Sequence, residues 1–431
     1  DVKATLKGPL TIDASGRMQV SAGSQGPSVA PTSPWRGMAF AGLGDDAFTQ
    51  AKDGTGAALL SKEDDAKAQI VNVAAAIGGS KMVAVGFNLA LTRIDRDVTA
   101  SVGSGVTVNL SSTDATVAEG LSPGLAIDAR DATGIVTVSV GAAAAIGPGS
   151  QVAVAIGGAI ALARIDSDLL AELGSGATVT LANEADLGIR ARNEAQIVSV
   201  GLGAAVAGGG TLGAGAVGFS AGVNRISVAT GAVLSGSVTA TGGGAKNAVL
   251  VEATSTGGIT SVSLAAAVAA TSGSVGFAGG GAGSGNTILG ATYALVSGAT
   301  ITDAASLTVS ALSSARINAV VVGLAVGVST GSTSGAAALG VAVAVNETGG
   351  LDIARAGLQA GDGLGTVARI ENSSVVTSGA ISVAATARQS IRADVVAASV
   401  AVAATGQVAL SIAGAGAIAV NRGAARAEPA V

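Results

Sequence analysis

The feature that most constrains this chain is an internal repeat of about 60 residues whose hydrophobic pattern alternates with a period of two. The frame Leu125-Ala-Ile127-Asp-Ala129 is followed by Ile135-Val-Thr-Val138, and it returns as Leu187-Gly-Ile189-Arg-Ala191 with Ile197-Val-Ser-Val200. Further copies run Val249-Leu-Val251-Glu-Ala253 with Ile259, Leu307-Thr-Val309-Ser-Ala311 with Ile317, and Ile381-Ser-Val383-Ala-Ala385 with Ile391. A degenerate copy ends at Ile70, and Leu10-Thr-Ile12-Asp-Ala14 reads as the relic of another. A second signature closes each unit. Leu91-Thr-Arg93-Ile-Asp95-Arg-Asp97 is nearly repeated by Leu162-Ala-Arg164-Ile-Asp166-Ser-Asp168, each leading into a Gly-Ser-Gly turn and a strand. Later units place Asn224, Asn286, Asn346 and Asn421 in the same region.

Between these anchors the chain is extended. Val136, Val138, Val140 and Ile146 alternate with Thr137, Ser139, Gly141 and Ala145, and the same division into a bulky face and an Ala/Gly face recurs in every unit. Frequent β-branched residues and Gly at nearly every turn's worth of chain exclude helix. A strand face in water would carry Lys, Glu, Thr and Gln, so both faces are expected to meet protein. The bulky face is expected to fill an interior. The small face admits a second backbone layer or forms the lateral contact between copies. The fold class expected is all-β, a repetitive β-solenoid or parallel β-helix, with stacked antiparallel β-hairpin repeats as the alternative. Three rungs of roughly 20 residues per unit, stacked at roughly 4.8 Å, give a rod on the order of 100 Å long. Residues 1–57 hold four of the seven prolines, Pro9, Pro27, Pro31 and Pro34, with the lone Trp35 and Gly44-Asp45-Asp46. They are read as an irregular N-terminal segment or cap, leaving 58–431 as a β-repeat region of about six units.

Composition excludes several classes of function. With no Cys and no His among 431 residues, thiol and imidazole catalysis and the usual zinc and haem ligation are absent. A net charge of −5 and 2% aromatics leave neither a basic footprint nor stacking platforms for nucleic acid. Aromatics are also too few for the girdles of a transmembrane barrel, and Gly, Ser or charge interrupts every apolar stretch of helical length, so the chain is expected not to span a membrane. It begins at Asp1 without Met or signal peptide, which reads as a processed or excised piece of something longer.

Charged clusters are the remaining candidates. Arg93, Asp95 and Asp97, like Arg164, Asp166 and Asp168, share one face of an extended chain, with Ile94 or Ile165 opposite. Paired carboxylates suggest calcium, but the interleaved Arg neutralises them, and an Arg–Asp pair holding the strand end is the better reading. Asp128, Arg130 and Asp131, followed one unit later by Arg190, Arg192 and Glu194, resemble the charged groove of a glycan-processing β-helix. Their recurrence at equivalent repeat positions argues instead for a solvated edge. The Asn series reads as an internal ladder or as turn caps. No residue is assigned a catalytic, cofactor-binding or metal-binding role, and no cofactor is expected.

The L-x-I-x-A strand, the V-x-V run, the Arg-Ile-Asp turn and the GSG(A/V)TV strand resemble the repeats of large bacterial filamentous-haemagglutinin-like and leukotoxin-type adhesins and autotransporter passenger domains. The likeness spans about residues 58 to 425. This chain is poorer in Asn and Lys and richer in Ala than that pattern. The resemblance implies a secreted, extracellular or outer-membrane-anchored β-solenoid filament or stalk serving cell adhesion, with no catalytic residues to carry across. Its expected partners are a host or neighbouring-cell surface ligand, or copies of itself through the Ala/Gly faces.

Overall fold

A computed structural model describes residues 1–25, 68–112, 124–147, 149, 152–209, 211–242, 246–351, 365–404, 408–424 and 427–430. The described chain forms three parallel sheets. Sheet A contains β1 (Val2–Leu6), β5 (Val83–Val102), β8 (Val152–Leu173), β11 (Gly213–Leu234), β14 (Val275–Ser297), β17 (Thr333–Gly350) with β18 (Thr366–Glu371), and β21 (Val408–Gly423) with β22 (Ala427–Ala430). Sheet B contains β2 (Leu10–Ala14), β6 (Val106–Ser112), β9 (Thr178–Asn183), β12 (Ser237–Ala240), β15 (Thr300–Ala304) and β19 (Ser374–Thr377). Sheet C contains β3 (Met18–Gln25) and β4 (Ala68–Ser80), then β7 (Leu125–Ile146), β10 (Leu187–Gly208), β13 (Ala248–Thr271), β16 (Ser306–Ser329) and β20 (Ile381–Ala403).

The chain visits the sheets in the order C, A, B and then starts the next coil, so each residue pairs with its equivalent one repeat away. Ile135 pairs with Ile197, Ile197 with Ile259 and Ile259 with Ile317. This is a parallel β-solenoid. The antiparallel hairpin alternative fails because the strands on either side of Gly147, β7 and β8, lie in different sheets. A 60-residue unit is one coil, not three rungs: the strand runs unbroken for 22 residues in β7 and again in β8 before a corner appears. Seven levels at roughly 4.8 Å stack to about 30 Å, while 22-residue strands span roughly 70 Å. The 100 Å rod is therefore replaced by a slab wider than it is tall.

Each coil has two halves. Near sheet B the three sheets enclose a prism filled by Leu125, Ile127, Leu169, Leu173, Val179 and Leu181 and their equivalents. The second glycine of the Gly-Ser-Gly corner makes the tight bend from sheet A to sheet B, Gly105 at φ 76° and Gly176 at φ 77°, where a side chain would be strained. Beyond a column of Ile94, Ile135, Ile165, Ile197 and Ile226, sheets A and C lie directly on each other as a blade whose interior is Ser, Thr and Asn nearest that column and mainly Ala and Gly beyond. Here the backbones touch: a Cβ on Gly157 would lie 1.7 Å from the carbonyl oxygen of Ala204, and one on Gly86 1.8 Å from that of Ala142.

Thus the small face does admit a second backbone layer, but the bulky face of the blade does not fill an interior. It points outward, leaving Ile77 72% and Leu91 66% exposed. The Ala/Gly faces are consumed inside the molecule and are not free for lateral contact between copies. The N-terminus also differs from expectation. β1, β2 and β3 continue the three sheets, so the first part of the 1–57 segment is regular strand, and the remainder from residue 26, including Trp35, lies outside the described residues. Leu10–Ala14 belongs to sheet B; the copy of the L-x-I-x-A frame is Met18-Gln-Val20-Ser-Ala22, which pairs with Leu125–Ala129.

Candidate functional site

The charged residues occupy rows that run along the stack near the junction of prism and blade. On the outer face of sheet A, Arg93 pairs in register with Arg164, and Asp95 with Asp166, while Ile94 and Ile165 point into the core. Arg93 bonds Asp95 at 2.9 Å and lies 3.5 Å from Asp166; Arg164 Nε donates to Asp166 at 2.5 Å. The hydrogen bond from Arg164 to Asp166, reinforced by that carboxylate's charge, raises the Arg164 pKa above its usual value. Each of these carboxylates is thus engaged by a guanidinium, but the pairs sit in the middle of β5 and β8 and not at the strand end expected for them, because both strands continue past them to Val102 and Leu173. Among the described residues no three carboxylates converge as a cation cage.

Sheet C departs from the solvated edge expected of it. Arg130 is exposed, but Asp128, Asp131 and Arg190 are buried. Asp128 pairs in register with Arg190, and Arg190 with Glu252, so charge alternates from coil to coil. Burial pushes the Arg190 guanidinium below its ordinary pKa, Asp128 and Glu252 oppose that shift, and Arg192 and Arg130 add to it. Arg190 Nε lies 3.7 Å from Glu252, and its Nε and Nη1 have no hydrogen-bond acceptor among the described residues. Glu194 stands opposite Ala132 and joins no charge ladder.

Asp131 points inward instead, into a polar seam that the sequence reading missed. It accepts from Arg96 Nη1 at 3.1 Å, Thr133 Oγ1 at 2.9 Å and Ser167 Oγ at 2.8 Å, and its side chain is fully buried. The signal was present: Arg96 shares the strand parity of Ile94 and Val98, and Asp131 that of Ala129 and Ile135, so both had to face the core. Farther along, Asn224 donates to Asn286 at 2.7 Å, Asn286 to Asn346 at 2.8 Å, and Asn346 to Asn421 at 2.8 Å. The expected internal ladder is therefore real.

An open depression of about 550 Å³ lies apart from both arrays, at Arg369, Glu371, Asn372 and Ser373. The cavity between Ile226, Ser255, Ile288 and Gln389 holds about 30 Å³, room for roughly one water. No described helix is long and apolar enough to cross a membrane. Among the described residues, the large unpartnered surfaces are the two outer faces of the blade. On sheet A the apolar rows run from Val83 to Leu91 and stop at Arg93; on sheet C they begin near Val136 and end at Ile146. Comparison with family models, curated proteins and solved structures finds no match to this chain.

Proposed function

We propose that this chain is a non-enzymatic structural segment of a large bacterial surface or secreted protein, a stalk or adhesin scaffold. The observation that carries the reading is the residue-for-residue stacking of successive coils, in which buried polar groups form ladders along the axis instead of converging on one cleft. Each coil shields the apolar edge of the last, which is the economy of a repeat scaffold. The resemblance of the repeats to filamentous adhesins supplies the extracellular setting and the expectation of a cell-surface ligand. Because a coil of about 60 residues adds only roughly 4.8 Å of height, the scaffold generates broad faces more than reach.

Antibodies raised against the purified segment test this on cells that make the protein. Labelling of intact cells, and adhesion of beads coated with the segment, are the expected results. Labelling only after permeabilisation, or release of reducing ends from polysaccharides by the segment, overturns the reading. The wide apolar faces favour a second reading, a subunit that associates with itself.

A further inference from the structure

The outer face of sheet A carries a relief as well as an apolar surface. At the level of Phe87 the six neighbouring strands present Phe87, Gly158, Phe219, Gly281, Val341 and Gly416 in register. Phe219 lays its ring over Gly158, 5.9 Å from the ring of Phe87, which raises a ridge over β8 and β11. Beside the ridge runs a furrow. Outward positions of β14 are Gly279, Gly281, Gly283 and Gly285, and a Cβ on any of the last three would meet open space. Its far wall is Leu339, Val341, Val343 and Val345 of β17.

We infer that this face is a homodimer interface in which two copies pack sheet A against sheet A about a two-fold axis lying along the strands, between β11 and β14. This deepens the self-associating reading and does not depend on where the protein resides. A two-fold so placed keeps every residue at its level and reverses the order of strands. Val217 then stands over the partner's Gly279 and Val223 over the partner's Gly285, because Val217 pairs with Gly279 and Val223 with Gly285 within one copy. Phe87 stands over the partner's Gly416, and the Phe219 ring meets the partner's Val341. An isologous contact makes each of these matches twice.

Area and charge agree with a second copy as the occupant. Nine residues at roughly 3.3 Å by six strands at roughly 4.8 Å cover about 850 Å². That exceeds the apolar patch of about 300–600 Å² ordinary on a monomer and meets the roughly 800 Å² per partner of a stable interface. At the border Arg164 falls opposite the partner's Glu347, while Arg93, which falls opposite the partner's Arg422, brings Asp95 with it. The outer face of sheet C offers no such match. Its rows mix Val, Leu and Ala, as in Val138, Val200, Val262 and Val320 or Ala142, Ala204, Ala266 and Leu324, with no run of outward glycines to make a furrow, and Arg392 and Asp394 break its edge.

Sedimentation equilibrium on the full chain should give twice the chain mass. Gly281→Leu and Gly283→Leu fill the furrow from the solvent side, so circular dichroism and melting temperature should be kept while dimerisation weakens by about tenfold or more. The chain has no cysteine, so Gly285→Cys supplies a lone thiol half a strand spacing from the two-fold, which offsets the two copies' thiols by one strand spacing. A short bismaleimide should link two copies through Gly285→Cys and not through Ala204→Cys on sheet C. A monomer at every concentration, dimerisation indifferent to the filled furrow, or cross-linking through Ala204→Cys overturns the inference. So does a monomer that floats with neutral phosphatidylcholine vesicles, which would make lipid the occupant.

Discussion

Asp131 ties β7 to two neighbouring strands of the facing sheet: its oxygens accept from Thr133 on its own strand, Ser167 on β8 and Arg96 on β5. Removing one member of a buried, hydrogen-bonded ion pair leaves the other charge uncompensated, so Asp131→Ala should cost about 3–5 kcal/mol, read as a lowered urea midpoint. Asp131→Asn keeps an acceptor and should cost less. Asp186 makes the opposite case. Burial raises its pKa above 3.8, the backbone N–H of Ala248 at 2.7 Å opposes the shift, and Glu184 adds to it. A carboxyl whose folded pKa lies above its unfolded value binds its proton more tightly when folded, so its ionised form weakens the fold at neutral pH. Asp186→Asn retains the acceptor for Ala248 and should raise the melting temperature at pH 7. That advantage should shrink as pH falls through the raised pKa and vanish below about 3.8, where the wild-type carboxyl is protonated in both states. An advantage that grew on acidification would mean the carboxylate is stabilised, not penalised, by its surroundings.

At the scale of elements, the Asn ladder and the blade interior hold the coils in register by different physics. Asn286 donates to both Asn346 and Ser284 and accepts from Asn224, all in a buried column. Asn286→Ala leaves those neighbours short of a partner inside the core and should cost about 1–3 kcal/mol, whereas Asn421→Ala, on the last coil with one side open to water, should cost less. Equal losses in chemical denaturation would show that the ladder's burial is irrelevant. In the blade, inward glycines set how closely sheets A and C approach. Gly157→Ala places a methyl on the carbonyl of Ala204 and must push the sheets apart, a loss of about 1–3 kcal/mol or more, while the outward Gly79→Ala, with nothing within 4 Å, should be neutral. The same pair of positions explains what the sequence could not disclose. Alternation divides a strand into two faces without saying which is inside. Bulk suggested the Val/Leu face, but the inward Gly and Ala let two backbones come into contact, and that decided the matter the other way.

For the whole molecule, what was legible followed from self-similarity. Equivalent anchors such as Ile197 and Ile259 had to be neighbours if the copies stacked, and parallel pairing then followed without further information. The number of strands per coil was hidden because the straight blade contains no residue that marks the absence of a corner. The charged rows were half-legible: strand parity placed Arg93 and Asp95 correctly outside, but treating Asp128, Arg130 and Asp131 as one exposed cluster ignored that adjacent residues face opposite ways. Stacking by equivalence also makes the coil a removable unit. Ala248 pairs with Ser306 and Val249 with Leu307, so excising Val249–Ser306 joins Ala248 to Leu307 and offers every remaining strand an in-register neighbour, with Asn224 brought beside Asn346. Nearest-neighbour energetics predict that the shortened chain folds with a urea m-value reduced by about one-seventh and a slab thinner by roughly 4.8 Å in solution scattering. The excision also removes β14 and its glycine furrow, so the same protein should sediment as a single copy. Loss of folding would show that stability is not the sum of coil-on-coil contacts, and persistence of a dimer would place the interface elsewhere than the face of sheet A.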